Sequence, residues 1–124
     1  GITGSNLLSM LERRLDNVVY RLGFASSRGQ ARQMIGHGHI TVNGKKVDVA
    51  SYQVKIGDTI GISSFSKDIG LVKGLTERLA QHSLLSWLGL DKEQVSGKVL
   101  SLPTAEDMRD TIEAKQIIEF YSRF

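Results

Sequence analysis

Residues 27–49 read SRGQARQMIGHGHITVNGKKVDV, and this stretch decides the fold that the sequence predicts. Ser27 followed three positions later by Gln30 matches a capping box, in which the side chains of both residues satisfy free backbone N–H groups at a helix N-terminus. The helix that opens there should run to about residue 35 and end at Gly36, because glycine is the usual residue just past a helix.

The second half of the stretch predicts a β-hairpin. Asn43-Gly44 stands between two runs rich in β-branched residues. Both residues tolerate the positive φ angles that a two-residue type I′ turn requires, which makes this pair the strongest short-range hairpin signal. The side chains predicted to face the core together are Ile40, Val42, Val47 and Val49.

The residues before this stretch predict two more helices. Apolar residues at 15, 18, 19 and 22 recur with helical spacing and form one stripe, so a helix should cover residues 15–22. Gly23 follows as a natural helix end. Leucines at 7, 8 and 11 indicate a short helix near residues 6–13.

The residues after the hairpin give weaker signals. We predict a further strand over 52–54, a turn at Gly57-Asp58 and an alternating strand over 59–62. The remaining expectations are a loop over 63–67, an amphipathic helix over 70–81, a buried apolar cluster over 84–88, a strand over 97–102 that Pro103 ends, and a helix over 105–121.

Composition and charge narrow the function classes. The chain has 124 residues and no cysteine, which excludes disulfides, thiolate zinc sites and a cysteine nucleophile within it. No apolar run approaches the ~20 residues of a membrane-spanning helix. The net charge is +3, and residues 1–64 carry eight basic and four acidic side chains, or +4. Five of those eight cations are arginine, whose planar fork matches phosphate oxygens, so a polyanionic partner is indicated.

The arginines fall on the two central predicted helices. Arg14 and Arg21 are seven residues apart, and Arg28 and Arg32 are four apart, so each pair shares a helix side. Two neighbouring short helices would present these cations together to folded RNA. The open alternative is that Asp16, Glu12 or Asp48 pairs with them. The predicted RNA-binding residues are Arg14, Asn17, Arg21, Ser27, Arg28, Gln30, Arg32, Gln33, His37, His39, Lys45 and Lys46.

Two other motifs are weaker signals of chemistry. His37 and His39 are two residues apart without a clear third ligand, which makes a poor metal site. Arg14-Leu15-Asp16 is similar to the catalytic Arg-Leu-Asp of pseudouridine synthases, but three residues are little to go on, and Asp16 also suits the first turn of a helix. Neither a Walker-type loop nor a GxGxxG motif occurs. We predict no catalytic residue, metal or cofactor.

The sequence resembles the bacterial-type ribosomal protein S-four family of the small subunit. Residues 14–24 (RLDNVVYRLGF), 36–44 (GHGHITVNG) and 118–123 (IEFYSR) carry the resemblance, which extends over nearly the whole chain. It implies an α+β fold: an αL-type RNA-binding module, two helices on a small, mainly antiparallel sheet, flanked by additional helices. The predicted segments are an N-terminal helical segment at 1–13 that packs with the C-terminus, the RNA-binding module at 14–62, and a helical extension at 63–124 with a short strand and a C-terminal helix.

The resemblance also implies a function. Family members bind small-subunit ribosomal RNA at a multi-helix junction, nucleate early assembly and affect decoding fidelity, without being enzymes. Implied partners are this RNA, neighbouring small-subunit ribosomal proteins and, for some members, their own messenger; the implied location is a cytoplasmic or organellar ribosome, with no membrane. Family members usually carry a further N-terminal region, so we expect a fragment. Gly29 stands where a basic residue is common, which thins the positive surface.

Two alternatives stay open from the sequence. The same module occurs as an accessory RNA-binding part of enzymes that modify ribosomal or transfer RNA, such as pseudouridine synthases. The arginine face could instead bind an acidic protein. If RNA is the partner and roughly six to ten phosphates are neutralised, affinity should fall by roughly 10³–10⁵ between about 50 and 200 mM salt.

Overall fold

The computed structural model describes residues 9–68, 75, 79, 84 and 86–103. Within them, helices and an antiparallel sheet form the predicted α+β fold. Residues 9–12 are also helical, in agreement with the predicted short helix as far as it is described. The elements are α1 (Leu15–Arg21), α2 (Arg28–Gly36), β1 (Ile40–Val42), β2 (Lys45–Lys46), β3 (Thr59–Ile62), α3 (Ser64–Asp68), β4 (Leu88–Asp91) and β5 (Ser96–Val99).

The sheet has the strand order β2-β1-β3-β5-β4, with every pair antiparallel. Val42 lies opposite Ile60, and Ile60 lies opposite Gly97. Because side chains alternate between the two faces of a strand, this register places the buried residues of β1, β3 and β5 on one face. That face packs against α1, because Leu22, which follows α1, contacts Gly97 of β5.

Helix α1 ends as its sequence predicts. The apolar stripe of residues 15, 18, 19 and 22 is fully buried. Gly23 has φ 89°, and it lies at the left-handed position of a Schellman motif. In that motif, the Gly23 N–H donates to Tyr20 O at 3.0 Å, and the Phe24 N–H donates to Val19 O at 3.1 Å.

Helix α2 begins as predicted and extends one residue beyond the predicted last residue, 35. The Ser27 hydroxyl caps it by accepting a hydrogen bond from the Gln30 N–H at 3.0 Å. Gly36 is still helical, which corrects the predicted end. Gly38, with φ 78°, terminates the helix, and the His39 N–H donates to Met34 O at 3.0 Å in a second Schellman motif.

The Asn43-Gly44 turn is confirmed, with φ angles of 53° and 82°. The Asn43 side chain fixes this turn to the next strand, because it donates to Asp58 at 3.0 Å and accepts from the Thr59 N–H at 2.9 Å. The prediction that Val49 faces the core is wrong. Strand β2 ends at Lys46, and Val49 beyond it is 54% exposed.

Two further local predictions need correction. Residues 52–54 form only a single bridge, between Gln53 and Arg14, and otherwise serve as a loop that hydrogen-bonds to the start of α1. Residues 63–67, predicted as a loop, contain most of helix α3, whose Ser66 is fully buried. The turn at Gly57, with φ 92°, and the strand after it are confirmed.

A hairpin from the predicted extension completes the sheet. Strand β5 coincides with the first half of the predicted strand 97–102, whereas β4 was not predicted. A side chain at Gly97 would lie 3.0 Å from Leu22 Cγ and closer still to both δ carbons, so α1 packs directly on β5. Trp87 is fully buried, as the predicted apolar cluster requires. Most of the predicted helix 70–81 and all of 105–121 lie outside the described residues.

Candidate nucleic-acid interface

Four arginines from α1, α2 and the residue before α1 gather around two buried carboxylates and one amide. We call this group the arginine cluster. It comprises Arg14, Arg21, Arg28 and Arg32 together with Glu12, Asp16 and Asn17.

Asp16 holds the first half of the arginine cluster. The Nε and Nη2 groups of Arg14 donate to its two carboxylate oxygens at 3.1 Å each. Nη1 of Arg32 lies 3.7 Å from the same carboxylate. The Asp16 side chain is only 3% exposed. This buried carboxylate therefore connects Arg14, at the start of α1, with Arg32 on α2.

Glu12 and Asn17 hold the second half. The Asn17 amide donates to Glu12 Oε2 at 2.9 Å and to Glu12 O at 2.6 Å. Arg21 Nη2 donates to Glu12 Oε1 at 3.3 Å. The Asn17 carbonyl oxygen accepts from Arg28 Nε at 2.8 Å. A continuous chain of hydrogen bonds therefore runs from Glu12 through Asn17 to Arg28.

An aromatic ring supports two of these guanidinium groups. The guanidinium carbon of Arg28 lies 4.8 Å from the centre of the Tyr20 ring, and that of Arg21 lies 5.6 Å from it. These distances are within the range of cation–π attraction. The Tyr20 ring therefore helps to hold the guanidinium groups of Arg21 and Arg28 in place.

The carboxylates neutralise only part of the charge. Four guanidinium groups and two carboxylates leave the arginine cluster with a net charge of 4 − 2 = +2. The side chains of Arg32, Arg14 and Arg21 are 56%, 34% and 18% exposed, respectively. The arginines therefore do pair with acids, as the alternative reading of the sequence had it, and the acids are Glu12 and Asp16. The net charge of the arginine cluster nevertheless stays positive.

The structure separates the polar candidates. Asn17 is 3% exposed; its amide N–H donates to Glu12 O, and its carbonyl oxygen accepts from Arg28 Nε. Ser27 and Gln30 are exposed at the N-terminus of α2, where the Gln30 side chain accepts from the Ser26 hydroxyl at 2.8 Å. Gln33 is exposed on the same helix.

The two histidines lie just past α2. Their rings are 6.0 Å apart and nearly perpendicular. His37 is exposed, whereas His39 is half-buried and shares a 2.6 Å hydrogen bond with the Ser66 hydroxyl. Among the described residues, no group of three or more His, Asp or Glu side chains could hold a metal ion.

Lys45 and Lys46 stand apart from the arginine cluster. Both are exposed on β2, at one edge of the sheet. In the described part of the chain, neither lysine forms an ion pair with an acidic side chain. No described helix is long and apolar enough to cross a membrane.

The sequence did not reveal that Glu12 and Asp16 organise the site. Both were among the three acids considered as partners, and the third, Asp48, is exposed and forms no ion pair among the described residues. The available signal was the spacing: an acid two residues after Arg14, and an acid five residues before Asn17. Spacing alone could not choose among the acids.

The family model of the S4 domain matches residues 13–60 of this chain. Over 123 residues, 99% of its length, the chain is similar to proteins named small ribosomal subunit protein uS4. It is 50% identical to the uS4 of Desulforamulus reducens, 50% identical to that of Thermus thermophilus, and 53% identical to the uS4A of Alkaliphilus oremlandii. The chain spans 59% of the length of these curated relatives.

Proposed function

We propose that this chain is a non-catalytic constituent of the small ribosomal subunit that binds small-subunit ribosomal RNA through the arginine cluster. The observation that carries this proposal is the arrangement of four guanidinium groups around two buried carboxylates with a net charge of +2. The names of the curated relatives supply the ribosomal context.

The geometry suits recognition of RNA shape. Double-stranded RNA hides its base edges in a deep, narrow groove, so proteins recognise it mainly through backbone geometry. Arg28 and Arg32 lie four residues apart on α2, and Arg14 reaches the same carboxylate as Arg32. Guanidinium groups at such fixed separations match phosphates at fixed separations, with two hydrogen bonds available to each phosphate.

The finer part of the proposal concerns which RNA is bound. A surface of constrained cations discriminates between regular helices and junctions, because a junction brings phosphates of several strands to one place. The family resemblance supports a multi-helix junction as the target, with roles in early subunit assembly and decoding fidelity. Neighbouring ribosomal proteins and the chain's own messenger are further partners within this proposal.

Asp16 is better suited to a structural role than to catalysis. Its carboxylate is buried, and it accepts hydrogen bonds from Arg14 and from the Asn17 N–H. A catalytic carboxylate has to reach a substrate atom, whereas this one faces its own arginines. The accessory-module alternative would need such a carboxylate elsewhere.

Footprinting of small-subunit RNA tests the proposal. The test variant is Arg28→Ala, Arg32→Ala. We expect its affinity to fall about 100-fold, since each charge-assisted hydrogen-bond site contributes roughly 1.5 kcal/mol. The matched control is Lys55→Ala, Lys98→Ala, which removes the same charge from exposed positions. Lys98 lies between two buried residues of β5, on the sheet face opposite to the one that packs against α1. The RNA protection given by this control variant should stay at the wild-type level.

Three results would count against the proposal. Unchanged protection by the double arginine variant would move the contact surface elsewhere. An RNA affinity that does not change with salt concentration would show that the arginines do not contact phosphates. Tighter binding to an acidic protein than to any RNA would favour a protein interaction domain.

A further inference from the structure

We propose that Glu12 and Asp16 are positioning residues of the RNA interface: two carboxylates that strengthen the specific binding of a polyanion although they carry its own sign of charge. This inference rests on the proposed function and deepens it. It assigns a role to two acidic side chains that a simple reading of charge would count as unfavourable.

The contacts divide the arginines between the two carboxylates. Asp16 contacts Arg14 and Arg32, at 3.1 and 3.7 Å. Glu12 contacts Arg21 at 3.3 Å and reaches Arg28 through Asn17. Each of the four predicted phosphate-binding arginines is therefore connected to one buried carboxylate.

Burial makes these carboxylates effective anchors. The side chains of Glu12 and Asp16 are 8% and 3% exposed, so a phosphate does not meet them directly at the surface. The Asp16 carboxylate binds the Nε and Nη2 edge of Arg14, and neither of these bonds uses Nη1. These two bonds leave Nη1 of Arg14 for a ligand, and the Arg14 side chain is 34% exposed.

Two effects oppose each other, and their sizes decide the outcome. A nearby carboxylate weakens the attraction between an arginine and a phosphate, but solvent screens this term at a surface. Fixing a long side chain before binding removes an ordering cost of about two- to tenfold in affinity for each side chain. Each carboxylate positions two arginines. For an RNA that fits the fixed geometry, the gain from this positioning outweighs the repulsion between carboxylate and phosphate. For an RNA that does not fit, the repulsion is not offset.

The test uses charge-removing variants that keep side-chain size. Glu12→Gln and Asp16→Asn each raise the net charge by one, and Asp48→Asn makes the same charge change at an exposed position outside the arginine cluster. Affinities are measured for small-subunit ribosomal RNA and for an unrelated RNA duplex, over a range of salt concentrations and well below the unfolding temperature of each variant.

We expect Glu12→Gln and Asp16→Asn to lose about tenfold in affinity for the small-subunit RNA while their affinity for the unrelated duplex stays level or rises about threefold. Asp48→Asn should bind both RNAs at least as tightly as the wild type. Glu12→Asp and Asp16→Glu, which keep a carboxylate, should recover part of the selectivity. A loss of stability alone would lower both affinities together and would leave their ratio unchanged.

If Glu12→Gln and Asp16→Asn bind the small-subunit RNA as tightly as Asp48→Asn, the positioning role is overturned. If the wild type itself does not prefer small-subunit RNA, the proposed function fails instead. NMR order parameters of the Nε–H groups of Arg14 and Arg28 in the free protein give a test that needs no variant. Values near the ~0.85 of rigid backbone support the inference, and values below about 0.6 contradict it.

Discussion

The arginine cluster and the tip of the β1–β2 hairpin are both basic, but their cations are constrained to different degrees. In the arginine cluster, Arg14, Arg28 and their buried partners form hydrogen bonds of 2.6–3.1 Å. In the hairpin, Lys45 and Lys46 are exposed and form no ion pair among the described residues. The two positively charged patches therefore differ in how firmly their cations are held before a ligand binds.

The difference follows from entropy and geometry. A free lysine contributes a point charge that follows any phosphate, so it adds to affinity for every RNA. A guanidinium group held by a buried partner has lost most of its freedom before binding, so it favours ligands whose phosphates already fit. We therefore propose that the arginine cluster supplies selectivity and that the hairpin lysines supply general attraction to RNA.

The largest effect is expected from breaking the link inside the arginine cluster. Asn17→Ala removes the partner of Glu12 on one side and of Arg28 on the other, leaving buried polar groups without their hydrogen bonds. We expect the free energy of unfolding to fall by about 3 kcal/mol, measured by urea denaturation with an unchanged m-value.

Lys46→Ala is the comparison for this variant, because it truncates an exposed side chain at the other patch. Its free energy of unfolding should change by no more than about 0.5 kcal/mol. If Asn17→Ala lowered the free energy of unfolding by no more than this, water would be replacing the amide. The hydrogen bonds from Glu12 through Asn17 to Arg28 would then not stabilise the fold.

A smaller effect is expected from keeping the charge and changing only its geometry. Arg28→Lys retains a cation but loses the Nε–H that Asn17 accepts and the planar group over the Tyr20 ring. We expect about a tenfold loss of affinity for small-subunit RNA, or about 1.4 kcal/mol, with little change for an unrelated duplex. Fluorescence titration of both RNAs measures this difference.

The reciprocal exchange at the hairpin sharpens that result. Lys45→Arg keeps an exposed cation that has no partner among the described residues, so both affinities should stay within about twofold of the wild type. Equal losses from Arg28→Lys and Lys45→Arg would mean that the two patches do not differ in the way the contacts indicate.

The sequence predicted those parts of the fold that local signals determine. Gly23 ended α1, Ser27 capped α2, and Asn43-Gly44 made the hairpin, because each depends on a few neighbouring residues. Where two local signals competed, the prediction was wrong by a small step. Gly36 and Gly38 both suit a helix end, and only the structure shows that Gly38 adopts the positive φ.

Features that depend on distant residues could not be predicted in the same way. Strand β4 exists because β5 offers it an edge, and β5 in turn pairs with β3. The site follows the same rule. Helical spacing grouped the arginines, but Glu12 precedes α1, and its place beneath Arg21 and Asn17 depends on how the chain turns at residues 13–14.

Among the variants that are expected to lose affinity, the smallest loss is expected from removing the hairpin cations. Lys45→Ala, Lys46→Ala deletes two exposed charges at the sheet edge and leaves the arginine cluster intact. The slope of log affinity against log salt should become shallower by about 2, and affinity at moderate salt should fall by only about threefold. The loss should be the same for small-subunit RNA and for an unrelated duplex, so the ratio of the two affinities stays constant. A change in that ratio would show that the lysines also contribute to selectivity, and the division of roles between the two patches would not hold.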